Sequence, residues 1–402
     1  MRTLLLFDGI GSTDVNLLPE LRDMYTKPEN TAFFQAMLDT SDKVSAYLDS
    51  STFTQVCPDG YTLRDWLDQK AGRSADVPQN SFAAGLCVYV HQTCQLQPAR
   101  HHGNDDVASL GHSIGLPAAM IAGMRLRRMD EFIDLATAFL RLVAVTLARG
   151  HQLVATSTAH PADVDRYRAR VRRGADPGPM ASLSGPHRAE LMSMIGAFRP
   201  NGSISISLAN SPKSHVLSGP AADLLEFYFA HHETFERTGT AWSFLSNTIP
   251  FHSPHLAAAA RQVDDDRSFI GKLPDGDQLR FPVYATDTPR NLQDSTDLVD
   301  EFLEQVLLRP IEWELVTRHA ITDAAADRIV DYGPGAAARR FTRECLDSGG
   351  RRVRFESRKQ SVASPALGGQ RAMSTLSRPG RTTQGNGSRP VHPVPRHYGN
   401  SG

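Results

Sequence analysis

The chain is poor in cysteine. Its 402 residues include four cysteines, at positions 57, 87, 94 and 345, and none of them forms a Cys-x-x-Cys pair. The cysteines also form no cluster with histidine that has the spacing of a metal site. Scattered cysteines in a chain of this length indicate reduced, packed thiols, so we expect a cytoplasmic protein.

Long apolar runs and an excess of charge are also missing. No window approaches the roughly 20 apolar residues that a membrane helix needs. The start of the chain lacks the apolar core and cleavage site of a signal peptide. Lysine and arginine total 43 against 44 aspartate and glutamate, a formal net charge of −1. Nothing in this balance favours nucleic acid or a membrane surface as a partner, and we expect neither.

The first segment, residues 1–155, predicts the first part of a large α/β subdomain. An apolar run ends at Asp8-Gly9, as a buried strand does when it meets a turn. A second predicted strand leads into Gly111-His112-Ser113-Ile114-Gly115 and then into a helix rich in small residues. The predicted strands are 3–7 and 106–110, and the predicted helices are 63–67, 82–95 and 116–123.

The second segment, residues 156–247, predicts a smaller subdomain with the order βαββαβ, which is the ferredoxin-like arrangement. Five arginines lie within residues 166–173, just before its first strand, and are typical of a solvated helix end or a linker. The predicted strands are 179–184, 203–210, 214–218 and 242–245, and the predicted helices are 186–198 and 221–235.

The third segment, residues 248–356, returns to the large subdomain. It predicts strands at 281–285 and 329–332 and a helix at 295–308. We therefore expect an α/β fold with an α/β-hydrolase-like large subdomain into which the ferredoxin-like subdomain is inserted. Residues 357–402 follow as a basic tail, in which positions 361–402 hold five arginines and no acidic residue. Such a composition predicts disorder, with a docking arm or a linker as the alternative.

The segment Gly111–Gly115 has the Gly-x-Ser-x-Gly pattern of a nucleophilic serine. The pattern places the serine on a sharp turn between a strand and a helix, where glycines relieve crowding of the backbone. The turn exposes the hydroxyl of Ser113, and the helix that follows adds positive potential for a developing oxyanion. The pentapeptide alone is only moderately specific, because chance matches occur in ordinary turns.

A serine hydroxyl needs a base within hydrogen-bond reach before it can attack. Fifteen histidines are present. His112 is held beside the serine and should point away from its hydroxyl, and the pairs at 101–102 and 231–232 have the character of solvated positions. His252 lies in a loop fixed by prolines, just after the inserted subdomain. From the residues alone it is one candidate among several.

Several motifs occur in a fixed order along the chain. They are residues 6–12, 111–116, 210–220, 251–256 and 330–335, with further matches at 280–284 and 308–314. This series resembles the malonyl/acyl-carrier-protein transacylase superfamily. Within it the chain looks most like the N-terminal acetyltransferase domain of type I fatty acid synthases and is similar to starter-unit acyltransferase domains of fungal polyketide synthases. The resemblance covers about residues 3–350.

The resemblance implies a ping-pong acyltransferase. Ser113 would be the nucleophile and His252 the base, while the backbone N–H groups of Ile10 and Ile114 would form the oxyanion hole. Acyl-coenzyme A would be the donor and the phosphopantetheine thiol of an acyl carrier protein the acceptor, with no permanently bound cofactor and no metal. The further residues expected at the substrate are Gly9, His112, Leu116, Phe139 and Asn210.

Two departures from the family pattern bear on the acyl group. Extender-unit enzymes hold the malonyl carboxylate with an arginine about 25 residues beyond the serine, where this chain has Phe139, and Arg141 falls on a different face of the helix. Leu116 replaces a glutamate that often follows the serine motif. At Ile10 many relatives have glutamine, so its side chain either reshapes the acyl pocket or is a buried turn residue. The missing arginine and the replaced glutamate both favour acetyl or another uncharged starter group.

Other readings of the same residues are a malonyl transacylase, a thioester hydrolase with the same Ser–His pair, and a non-enzymatic docking relative. A hydrolase of the α/β class would place its histidine near the end of the chain, after an acidic residue. Beyond His319 the histidines lie in the predicted tail. The presence of both Ser113 and His252 argues against a non-enzymatic relative.

Overall fold

The computed structural model describes residues 1–12, 17–58, 60, 62–68, 80–100, 103, 105–152, 159–171, 174–198, 202–348, 350 and 352–358. The predicted basic tail lies outside this part of the chain except for its first two residues, as do the histidine pair at 101–102 and the last two arginines of the 166–173 cluster. Among the described residues, no helix is both long and apolar enough to cross a membrane.

The described part of the chain contains two five-stranded sheets and the helices that cover them. The strands are β1 (Thr3–Phe7), β2 (Asp106–Gly111), β3 (Met180–Ser184), β4 (Ser205–Ser211), β5 (Ser214–Ser218), β6 (Ala241–Phe244), β7 (Val283–Tyr284), β8 (Ile311–Glu312), β9 (Arg328–Asp331) and β10 (Arg354–Ser357). The helices are α1 (Leu17–Tyr25), α2 (Thr31–Tyr47), α3 (Ser50–Val56), α4 (Leu63–Leu67), α5 (Ser81–Gln95), α6 (Leu116–Met124), α7 (Met129–Gln152), α8 (Pro161–Arg170), α9 (Arg188–Phe198), α10 (Ala221–Thr238), α11 (Ala257–Asp265), α12 (Arg267–Ile270), α13 (Leu298–Leu303), α14 (Trp313–Asp323) and α15 (Ala337–Asp347).

The first sheet has the order β10-β9-β1-β2-β7, and every neighbouring pair in it is parallel. The central strand β1 is buried along its whole length, which explains why its sequence is a continuous apolar run rather than an alternating one. Because β1 and β2 are adjacent and parallel, the turns that follow them meet at one edge of the sheet. Those two turns carry the Asp8-Gly9 and Gly-x-Ser-x-Gly motifs.

The second sheet has the order β6-β3-β5-β4-β8. Strands β3 to β6 pair antiparallel and, with α9 and α10, follow the chain order βαββαβ. The fifth strand, β8, belongs to the third segment of the chain and pairs parallel with β4, with Leu208 opposite Ile311. The predicted α/β fold with an inserted ferredoxin-like subdomain is therefore confirmed, and β8 joins the two subdomains by backbone hydrogen bonds.

Several predicted elements have different bounds in the structure, and for two of them the cause is visible. The helix predicted at 295–308 begins only at Leu298, because the Asp297 carboxylate caps it by accepting the N–H of Val299 at 2.7 Å. Its last turn, Glu304–Leu308, is a π-helix. The strand predicted at 281–285 shortens to Val283–Tyr284, where Pro282 has no N–H to donate.

Candidate active site

Ser113 lies on the turn between β2 and α6. The turn is a single 3₁₀ turn, Ser113–Gly115, and Ser113 has a φ of 53°. A residue other than glycine adopts this left-handed backbone conformation only at a cost in free energy. Such strain concentrates at functional sites. The strain lifts the serine out of the line of the strand and leaves its side chain partly exposed.

The two glycines of the motif make this turn sterically feasible. A Cβ atom on Gly111 would lie 2.4 Å from the carbonyl oxygen of Gly115, and one on Gly115 would lie 2.7 Å from the carbonyl oxygen of Asp8. These neighbours are backbone atoms and have no room to move. The glycines therefore let the end of β2 fold back tightly against the turn that follows β1.

His252 brings its imidazole to the serine. Its Nε2 lies 2.8 Å from Ser113 Oγ, and its Nδ1 lies 3.2 Å from the carbonyl oxygen of Arg309. A carbonyl oxygen only accepts hydrogen bonds, so Nδ1 carries the hydrogen and Nε2 of the neutral ring is free to accept the serine proton. In the part of the chain that the structure describes, the group that orients His252 is therefore a backbone carbonyl and not a carboxylate.

The π-helical turn Glu304–Leu308 holds the loop of His252. The backbone N–H groups of His252 and Ser253 donate to the carbonyl oxygens of Val306 and Leu307, at 3.2 and 2.8 Å. A π-turn closes through a bond five residues long, here from Arg309 N–H to Glu304 at 2.7 Å. His252 itself has a φ of 56°. Both members of the Ser–His pair are thus held in left-handed backbone conformations by their surroundings.

Burial keeps the His252 ring neutral. The loss of hydration, and then the neighbouring His112, lower the pKa of His252 to about 3. The side chain is 2% exposed. The imidazole is therefore available as a base far below neutral pH.

His112 precedes the serine in the chain and makes a separate contact. Its Nε2 lies 2.8 Å from the Oδ1 of Asn210, which reaches it from β4, so the second sheet is tied directly to the turn of Ser113. Its ring packs edge-on against Trp313, with ring centroids 4.8 Å apart. Burial lowers the pKa of His112. A Cβ on Gly9 would lie 3.0 Å from His112 Nδ1, so this glycine permits the close approach.

Ile10 and Ile114 each lie in the first residues of a 3₁₀ turn, Ile10–Ser12 and Ser113–Gly115. The first N–H groups of a helical turn have no acceptor within it and can donate to a bound group. The side chains of both residues are buried in the hydrophobic core, and that of Ile10 lies against α5 near Gly85. Their backbones, on the turns after β1 and β2, are adjacent to Ser113.

A cavity of about 210 Å³ opens onto Ser113 and His252. One wall comes from the turn after β1, with Gly9 and Ile10, and the other from the second sheet, with alternate residues Met180 and Ser182 of β3 and Asn210 of β4. The cavity thus lies between the two sheets. Among the residues expected at the substrate, the lining includes Gly9, His112 and Asn210.

Leu116 and Phe139 are fully buried in the hydrophobic core and are not among the residues that line this cavity. Arg141 is engaged elsewhere, where its Nε donates to the carbonyl oxygen of Ile270 at 2.9 Å. Burial lowers the pKa of its guanidinium. No guanidinium on α7 therefore lines the cavity.

Several residues at the site are not identified by the sequence analysis. Ala337, Arg340 and Phe341 of α15 line the cavity, because α15 begins directly after the turn at 333–335 that ends β9. Their only signal in the sequence is that position beside the Gly-Pro-Gly turn. The carbonyl of Arg309 gives no signal, since any residue type supplies one.

Comparisons with known proteins find chains of similar sequence and of similar fold. No protein-family model matches the chain. Its sequence is similar to the fatty acid synthase beta subunit TOXC of Cochliobolus carbonum, with 28% identity over 252 residues, covering 56% of this chain and 11% of that protein. Fatty acid synthase subunit beta of Schizosaccharomyces pombe is 27% identical over 381 residues, covering 87% of this chain and 18% of its own length. The chain thus spans less than a fifth of these curated relatives.

Solved structures with a similar fold include acyl-carrier-protein transacylases and a polyketide synthase acyltransferase domain. The malonyl-CoA:acyl carrier protein transacylase of Xanthomonas oryzae superposes with a TM-score of 0.61 at 18% identity, covering 91% of this chain and 96% of that one. The acyltransferase domain from module 8 of the salinomycin polyketide synthase also gives 0.61, at 19% identity, covering 89% and 70%. The resemblance drawn from the ordered motifs is therefore confirmed, and the chain has the fold of the acyl-carrier-protein transacylase superfamily.

Proposed function

We propose that this chain is an acyltransferase that carries an acyl group on Ser113 from acyl-coenzyme A to the phosphopantetheine thiol of an acyl carrier protein. The observation that carries the proposal is the 2.8 Å contact of Ser113 Oγ with His252 Nε2, in a ring whose Nδ1 faces the carbonyl of Arg309. Fatty acid or polyketide biosynthesis is the setting that the similar proteins suggest.

The first half-reaction acylates the serine. His252 Nε2 takes the hydroxyl proton while Ser113 Oγ bonds to the thioester carbonyl carbon, and the carbonyl oxygen becomes an oxyanion. The backbone N–H groups of Ile10 and Ile114 donate to that oxyanion. The C–S bond then breaks, and the proton on His252 passes to the departing thiolate.

The second half-reaction runs the same steps in reverse order. His252 takes the proton of the carrier thiol, whose sulfur attacks the acyl-serine carbon. The ester bond between the acyl carbon and Ser113 Oγ breaks, and Oγ regains its proton from His252. Since no step needs a metal or a bound cofactor, the Ser–His pair, the oxyanion hole and the exclusion of water from the cavity suffice.

An uncharged acyl group, such as acetyl or another starter, fits the charges of the cavity. The described residues that line it include one lysine or arginine, Arg340, whose side chain is 64% exposed and so lies at the open side. The buried carboxyl group of Asp8 also lines the cavity and accepts the backbone N–H of Ala338 at 2.7 Å. A malonyl carboxylate seated beside Asp8 would meet a second acidic group and no buried lysine or arginine among the described lining residues, which disfavours it.

Mass spectrometry of the intact protein tests this function. Incubation with acetyl-coenzyme A should add one acetyl group, which maps to Ser113, is absent from Ser113→Ala, and moves to the thiol of an added holo carrier protein. In competition, acetyl should exceed malonyl on the serine. The absence of an adduct from any acyl-coenzyme A, short or long, would overturn the proposal.

The alternative of a thioester hydrolase is distinguished in the same experiment. A hydrolase would release the acyl group to water at the same rate with or without the carrier thiol. An acyltransferase should hold the acyl-serine until the thiol arrives.

A further inference from the structure

Arg340 lies on α15 at the open side of the cavity. Its guanidinium carbon lies 4.7 Å from the centre of the Phe341 ring, and the Phe341 ring lies 6.2 Å from that of His112, beside the serine. Phe341 and Arg340 both line the cavity. A substrate that enters from the open side therefore passes Arg340 before it reaches Ser113.

The guanidinium of Arg340 makes only a weak ion pair within the protein. Its Nε lies 3.7 Å from Glu344, one turn further along the helix, and the two side chains are 64% and 44% exposed. Exposed ion pairs of this kind contribute little, because both charges remain hydrated. The stacking on Phe341 orients the guanidinium without using its N–H donors. The donors can therefore turn to a ligand at low cost.

The chemistry of the substrate defines that ligand. When the thiol of a phosphopantetheine arm reaches Ser113, the other end of the arm lies at the opening of the cavity. In coenzyme A and in carrier proteins, that end is a phosphate. An arginine fork matches the oxygens of a phosphate in two parallel hydrogen bonds. No other lysine or arginine among the described lining residues competes for this role.

We propose that Arg340 binds the phosphate of the phosphopantetheine arm and so selects thioesters that carry this phosphate. This inference rests on the proposed function for the identity of the arm. It assigns the recognition of the far end of the substrate to α15, apart from the Ser–His pair and from the acyl group.

Two ligands that differ by one group test the proposal. Calorimetric titration should show that 4′-phosphopantetheine binds the wild-type protein on the order of tenfold more tightly than pantetheine, as one exposed charge-assisted pair allows. In Arg340→Gln the preference should vanish through loss of phosphopantetheine affinity alone, and Arg340→Lys should keep part of it. Acylation of Ser113 by acetyl-phosphopantetheine and acetyl-pantetheine should show the same pattern in kcat/KM.

Arg343 is a matched control on the same helix. It is exposed and stacks on a ring, that of Phe355, at 4.8 Å, but it does not line the cavity. Arg343→Gln should keep the full preference for the phosphate. An equal loss in Arg343→Gln would overturn the proposal, since a general effect of surface charge would then explain it.

The remaining outcomes are also decisive. If Arg340→Gln weakens both ligands equally, its role is structural and the proposal is wrong. If it instead impairs malonyl-pantetheine while leaving the phosphate preference intact, Arg340 serves the acyl carboxylate and the proposal is equally wrong. A lost phosphate preference in a protein that forms no acyl-serine would support the role of Arg340 and overturn the proposed function, so the two failures are distinguishable.

Discussion

At the scale of single residues, the site depends on two side chains held in strained conformations. Ser113 and His252 have φ values of 53° and 56°, and each is fixed by contacts of its neighbours with other elements. The strain places the hydroxyl and Nε2 at hydrogen-bond distance before any substrate binds. Preorganisation of this kind reduces the reorganisation needed during the reaction.

The pH dependence of acylation follows from the burial of His252. Its pKa is lowered to about 3, below the value near 6.5 of an ordinary histidine, so the ring stays neutral as the pH falls and its Nε2 can still accept the serine proton. We expect kcat/KM for acylation to change little between pH 7 and pH 5. An ordinary histidine would lose about thirtyfold in its neutral form at pH 5. Stopped-flow release of coenzyme A across this range measures the effect.

A folding control belongs with this experiment. Because the folded pKa lies below the unfolded one, the unfolded chain gains a proton first as the pH falls, and folding stability declines between about pH 6.5 and pH 3. Circular dichroism at each pH confirms that the enzyme is folded. A midpoint of the acid limb near pH 6.5 in folded protein would show that His252 is not shifted in this way.

The removal of His252 is a second prediction at this scale. His252→Ala leaves the serine and the oxyanion hole in place and removes the base, so the acylation rate should fall by about 10²- to 10⁴-fold, the usual contribution of a general base. Rapid-quench mass spectrometry of the acyl-serine measures this rate. A decrease of less than fivefold would mean that another group takes the serine proton.

At the scale of elements, the turn between β2 and α6 depends on the packing of Gly115 against the end of β1. Gly115→Ala would bring a Cβ to 2.7 Å from the Asp8 carbonyl oxygen and 2.8 Å from that of Phe7. Both are backbone atoms, so we expect a loss of about 1–3 kcal/mol in stability from overpacking. The displaced serine should lower kcat by about a hundredfold. Urea denaturation and the acylation assay measure the two effects.

Gly196 provides the matched substitution. It lies inside α9, and a Cβ there would meet nothing within 4 Å. Gly196→Ala should therefore raise stability by about 0.5–1 kcal/mol through helix propensity and leave activity unchanged. If Gly115→Ala behaved like Gly196→Ala, the close packing of the turn would not be required for activity.

The elements show what the sequence predicts and what it does not. The apolar run before Asp8, the strand, turn and helix around Ser113, and the βαββαβ order follow local periodicity, and the structure contains them. The π-turn at 304–308 cannot be predicted in this way, because its hydrogen bond between residues five apart gives the sequence no recognisable hydrophobic pattern. The carbonyl of Arg309 is a backbone group without a signature. Strands β8 and β10 depend on pairing with partners distant in sequence.

At the scale of the whole molecule, the site is assembled from all three segments of the chain. The cavity lies between two sheets, and its walls come from the turn after β1, from the inserted subdomain and from α15. Asn210 connects β4 to His112, and β8 extends the second sheet from the third segment. The position of Ser113 relative to its substrate therefore depends on contacts that join distant parts of the chain.

Gln92 is one such contact, and its replacement gives the last prediction. It is fully buried in α5, and its Nε2 donates to the carbonyl oxygens of Asp8 and Gly333, at 2.8 and 2.6 Å. Gln92→Leu keeps the volume and leaves two buried carbonyls without this donor, so we expect a loss of roughly 2–4 kcal/mol in the free energy of unfolding. Urea denaturation measures it. Gln35→Leu, on the exposed face of α2, should change stability by less than about 0.5 kcal/mol. Equal effects of the two substitutions would show that Gln92 does not link the turns after β1 and β9.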